Sequence, residues 1–88
     1  MKRELFVASR TLDQGTHCPF MITYFILVET LAEDLEQYGV KIVENNSQKF
    51  AIVSGITISA ERISMLANLL VRGTVTPTAL LDVLADWL

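Results

Sequence analysis

The sequence predicts an α+β fold in the order ββββαα, a four-stranded antiparallel meander followed by two helices packed on one sheet face. Three observations carry this prediction. Runs of β-branched and aromatic residues with a period of two fill the first two thirds of the chain. The link between the middle runs, Thr30 to Gln37, is shorter than the roughly dozen residues that a parallel crossover takes, so the strands on either side are antiparallel. From Ser59 onward the apolar period becomes helical, with capping residues at the places where helices start and stop.

In Glu4 to Ala8, Leu5 and Val7 alternate with Phe6 and Ala8, which predicts a short strand partly covered on both faces. Thr11 to Pro19 collects Asp13, Gly15, Thr16 and Pro19 and predicts a loop. Met21 to Glu29 puts Ile22, Tyr24, Ile26 and Val28 on one face and Met21, Thr23, Phe25 and Leu27 on the other, the pattern of a central strand. Two readings of Thr30 to Gln37 stay open. Val28, Leu31, Ala32, Leu35 and Tyr38 have helical spacing and Thr30 with Glu33 matches a capping box, yet a hairpin loop serves equally. Tyr38 to Glu44 is a third strand, with Val40 and Ile42 opposed to Lys41 and Val43. Asn45, Asn46 and Ser47 form a turn, and Gln48 to Ile58 is a fourth strand with Phe50 and Ile52 on one face and Ala51 and Val53 on the other. Gly55 marks a bulge or a close backbone approach.

Ser59 caps the first helix, Glu61 suits the positive end of its dipole, and Arg72 and Gly73 close it. At 100° per residue, Ile63, Leu66, Ala67 and Leu70 form the core stripe. Met65 and Leu69 fall on the far side beside Arg62 and Arg72, and these four are the interface candidates. Thr76 and Pro77 open the second helix, because proline at the first helical position lacks only an amide that has no partner there. Pro77, Leu80, Leu81, Leu84, Trp87 and Leu88 share its apolar face, opposite Thr78, Asp82 and Asp86. Asp82 and Asp86 are like charges four residues apart, which makes this acidic face a candidate for docking a partner's Lys or Arg.

The 88 residues are expected to form a single domain, 1–88, since a chain this size cannot divide its apolar residues between two cores. Hydrophobic residues make up 51% of it, with mean hydropathy +0.41. A domain this small buries only about 60 to 65% of the surface its unfolded chain exposes. Apolar surface is therefore left outside the core, and self-association, as a homodimer or with a protein partner, is expected. The longest apolar run, Phe20 to Val28, has nine residues, against the roughly 20 of a membrane-spanning helix. Lys2 and Arg3 precede too short an apolar stretch for a secretory signal, and Cys18 is the only cysteine, so a cytoplasmic protein is expected. A net charge of −3 disfavours binding to phosphate backbones or anionic lipid.

Catalytic chemistry finds little support. His17 and Cys18 are the sole imidazole and thiol, but neighbours in extended chain point in opposite directions, and four Cys or His ligands for a structural zinc are lacking. The acidic cluster of Glu29, Glu33, Asp34 and Glu36 lacks the spacing and glycine of a calcium loop and reads as a solvated surface. Asn45-Asn46-Ser47 matches a glycosylation acceptor that has no consequence without secretion. The second helix offers no Arg, Lys, Asn or Gln to a base edge, and the first only Arg62, Asn68 and Arg72, so nucleic-acid binding is not expected.

The strings Tyr38-Gly39-Val40, Gly55-Ile56-Thr57 with Ser59 and Glu61-Arg62, Val75-Thr76-Pro77, and Asp82-Val83 with Asp86-Trp87-Leu88 resemble a family of short bacterial proteins, chiefly from Firmicutes, classed as a domain of unknown function. The resemblance covers nearly the whole chain from the second strand onward. It implies a bacterial cytoplasmic protein and no particular activity, substrate or cofactor. The expectation is a non-catalytic interaction or regulatory module without cofactor, using the uncovered sheet face or the Met65/Leu69 side of the first helix. The alternative is a small ligand-binding or enzymatic domain whose site forms between subunits, with His17, Tyr24 or Glu29.

Overall fold

The computed structural model describes residues 2–12, 20–45 and 49–87. Four strands, β1 (Lys2–Leu12), β2 (Phe20–Ala32), β3 (Leu35–Glu44) and β4 (Lys49–Thr57), form one antiparallel sheet in chain order. They are followed by α1 (Ala60–Arg72), a 3₁₀ turn (Pro77–Ala79) and α2 (Leu80–Trp87). The predicted ββββαα meander is the observed architecture.

Thr30 to Gln37 is hairpin, not helix. β2 and β3 pair through Thr30↔Glu36 and Ala32↔Leu35, leaving Glu33 and Asp34 as the turn. Asp34 takes φ +63, a left-handed conformation that a short polar side chain tolerates better than most. Helical spacing over so few residues loses to two long strands whose ladder hydrogen bonds extend each other.

The period-two pattern sorts the strand residues into two faces, and the helices cover one of them. Ile22, Tyr24 and Val28 of β2 and Val40 and Ile42 of β3 are buried, with Ala51 and Val53 of β4 half-buried on the same side. Onto this inner face α1 lays Ile63, Leu66, Ala67 and Leu70, the stripe expected from its spacing. β1 differs from expectation. It is an edge strand longer than Glu4 to Ala8, and Leu5 and Phe6 are exposed because the buried sheet residues all lie on β2 and β3. The Cα extents, 49 × 26 × 16 Å, show that one helical layer on one sheet is the full thickness.

Gly39 is required by its surroundings. Opposite it, between the pairs Val40↔Val53 and Tyr38↔Thr57, β4 carries a bulge with Gly55 at φ +67. A Cβ on Gly39 would collide with the Val53 carbonyl oxygen and lie 2.7 Å from Ser54 Cα. β4 can swing across this point only because β3 has no side chain there.

Ser59 Oγ accepts a hydrogen bond from the Arg62 amide at 3.2 Å, as its capping role predicts. At the other end, Gly73 has φ −84 and the left-handed residue is Thr74, φ +48. The Thr74 amide bonds to Val71 O and the Val75 amide to Leu70 O, both at 3.1 Å, so a Schellman motif closes α1 with a β-branched residue where glycine is usual. Leu81, expected on the core face of α2, is 68% exposed. The reason is the 3₁₀ turn, in which positions three apart eclipse, so Pro77 and Leu80 both point inward. Leu81 is then turned about 100° away from them.

Two substitutions test this account by urea unfolding. Gly39→Ala should lower stability by about 2 to 3 kcal/mol, since backbone, not a flexible side chain, must yield. Thr74→Gly should raise it by up to about 1 kcal/mol, by removing a left-handed β-branched residue.

Candidate functional site

Among the described residues, the side of the sheet opposite the helices has no second layer. Alternation places Phe6 of β1, Phe25 and Leu27 of β2, Val43 of β3 and Phe50 and Ile52 of β4 on it, through the pairs Phe6↔Phe25, Lys41↔Ile52 and Val43↔Phe50. Phe6 is 65% and Phe50 63% exposed. The Phe6 and Phe25 rings meet edge to face with centroids 6.2 Å apart. Lys41 reaches across β2 to Glu4 at 3.1 Å, and its Nζ lies 5.6 Å from the Phe25 ring centroid. The ammonium is thus held by a carboxylate and an aromatic face in the middle of an apolar field.

These aromatic residues were missed as site candidates by sequence reasoning. Their signal is the two-sided apolar pattern of β2 and β4, which reads equally as burial on both faces or as one buried and one sticky face.

The helical side carries a groove between α1 and α2. One part, about 540 Å³, is lined by Met65, Asn68, Leu69, Val71, Arg72 and Trp87. An adjoining part of about 450 Å³ shares Leu69 and Trp87 and adds Gly73, Val75, Val83 and Asp86. The structure therefore brings Met65, Leu69 and Arg72 together with Asp86, which the sequence assigned to separate faces. Met65 is 63% and Leu69 40% exposed, in accord with their predicted position away from the core. Arg62 is drawn off to another task, its guanidinium stacked over the Trp87 ring at 4.7 Å, and this contact ties α1 to α2. Asp82 lies exposed one turn before Asp86 on the same flank of α2, and among the described residues neither makes an ion pair.

Other sequence candidates disperse. Glu36 bonds to Arg3 at 2.8 Å and accepts a weak hydrogen bond from the Tyr38 hydroxyl at 3.4 Å, whereas Glu29 lies on the outer face opposite Lys2, and Glu33 and Asp34 form the hairpin turn. The acidic residues are thus divided between the two faces and the end of the sheet. Among the described residues no group of three or more His, Cys, Asp or Glu is placed to hold a metal ion. His17, Cys18, Asn46 and Ser47 lie outside the described residues. Tyr24, considered for a site between subunits, is instead a core residue, 2% exposed, whose hydroxyl donates to the Val75 carbonyl at 2.9 Å. Burial pushes its pKa from 10.0 up to about 12, partly offset by the Arg10 guanidinium.

The fold and these surfaces define a small α+β protein with a one-sided core and apolar surface open on both sides. No described helix is long and apolar enough to cross a membrane. Residues 3–88 match DUF6514, a family of unknown function, and the chain belongs to that family. No curated protein and no solved structure matches it.

The tyrosine supplies a test by titration. Unfolded chain releases the phenolic proton near pH 10 and folded protein only near 12, so the unfolded state is favoured increasingly across that window. Stability of the wild type should fall as pH rises from 10 to 12, and Tyr24→Phe should remove that part of the decline while lowering stability at neutral pH by about 1 kcal/mol through the lost hydrogen bond. Paired thermal melts across the window read both effects.

Proposed function

We propose that the chain is a non-catalytic protein-interaction module that self-associates by packing the outer sheet faces of two copies against each other. The observation that carries this reading is the unroofed row of Phe6, Phe25, Phe50 and Ile52. Four strands about 4.8 Å apart, over about nine residues of about 3.3 Å each, offer a face of roughly 19 by 30 Å. With side-chain relief this approaches the roughly 800 Å² per partner of a stable interface. Pairing through the sheet edges is less favourable, because β1 is interrupted by a register shift between Phe6 and Ala8 and β4 by the bulge at Gly55. Bulges of this kind blunt edge-to-edge addition and leave the face as the route to association. The bridged Lys41 and Glu4 enter such an interface already paired, which lowers the cost of burying them. The single cysteine and the resemblance to bacterial proteins support a cytoplasmic setting.

One observation favours a second reading, a ligand site completed between subunits. A basin of about 430 Å³ on the outer face includes Lys2, Glu4, Glu29, Gln37 and Ser54 in its lining over Leu27. A second sheet packed on this face would roof it and supply the enclosure that small-molecule sites need.

Native mass by light scattering over a dilution series tests the proposal. Wild type should run at twice the chain mass, and Phe50→Ser with Ile52→Thr should run at the chain mass with unchanged far-UV circular dichroism. A wild-type monomer at every concentration, or a double variant that stays dimeric, would refute it.

A further inference from the structure

We infer that the groove between α1 and α2 docks an amphipathic helix of a partner protein, one with an apolar stripe and Lys or Arg along the flank that meets α2. Leu69, Val75, Val83 and Trp87 form a continuous apolar floor, because the two parts of the groove share Leu69 and Trp87. A helix laid on such a floor buries residues at i, i+3, i+4 and i+7. Charge sets the choice of occupant. On the α2 wall, Asp86 borders the groove and Asp82 sits one turn earlier, two like charges that repel each other without a described cation partner. On the α1 wall the bordering charge is Arg72, since Arg62 is engaged with Trp87. A partner helix with basic residues toward α2 relieves the Asp82/Asp86 repulsion, and an acidic residue on its other flank would meet Arg72. An acid-flanked helix in the same orientation would be repelled.

The groove lies on the opposite side of the sheet from the face proposed for self-association, so each copy in a dimer would keep its groove open. The inference does not rest on that dimer, and the test separates them. The probes are two synthetic helices of roughly 18 residues, about five turns, with the same leucine stripe and either Lys or Glu on the flank. By fluorescence of Trp87, the only tryptophan, wild type should bind the lysine-flanked helix about tenfold more tightly than the glutamate-flanked one, and more weakly as salt rises. Asp82→Lys with Asp86→Lys should reverse the preference, and Leu69→Gln should weaken both helices about tenfold with native mass unchanged. Equal affinity for the two helices, or a preference that survives the double charge reversal, would overturn the inference. So would a change in native mass on Leu69→Gln, because the groove would then belong to the self-association surface.

Discussion

Burial on one side of the sheet is the constraint on which the rest of the structure depends. The described residues hold helix for a single layer, and α1 with α2 places it on the face formed by Ile22, Tyr24, Val40 and Ile42. The Tyr24 hydroxyl, bonded to the Val75 carbonyl, joins the middle of the sheet to the turn between the helices, so the layers are held by a directed contact as well as by apolar area. A sheet that is apolar on both faces and covered on one leaves large apolar side chains exposed on the other.

Three backbone positions turn this plan into a particular shape. Gly39 and Gly55 let β4 bend across β3 and leave the sheet toward α1. Thr74 reverses the chain after α1 in a conformation ill suited to its side chain, and the 3₁₀ turn that follows sets the phase of α2. Together they seat α2 beside α1 with a groove between, braced by Arg62 on Trp87.

Several polar groups among the described residues are employed in holding this shape. Tyr24 ties sheet to turn, Arg3 holds Glu36, Lys41 spans to Glu4, and Arg62 stacks on Trp87. The exposed ion pairs contribute little energy each, but they fix the sign and position of charge around the apolar surfaces. Those surfaces are what the described residues leave exposed: an aromatic sheet face carrying the Lys41–Glu4 pair, and a helical groove bordered by Asp86.

Local pattern was enough to read the antiparallel order, the division of β2 and β3 into two faces, the Ser59 cap, the core stripe of α1 and the outward placing of Met65 and Leu69, because each follows from spacing along a few residues. Membership of a family of unknown function was legible in the sequence as well. Thr30 to Gln37 was not, because helix and hairpin fit eight residues equally well until the lengths of β2 and β3 decide between them. Nor was Leu81, whose direction depends on a 3₁₀ turn. The meeting of Leu69 with Asp86 and Trp87, the pairing of Arg62 with an aromatic ring, and which of the two sheet faces stays uncovered were decided by tertiary structure alone. Those contacts join residues far apart in the chain, and only the packing of the helices on one face brings them together.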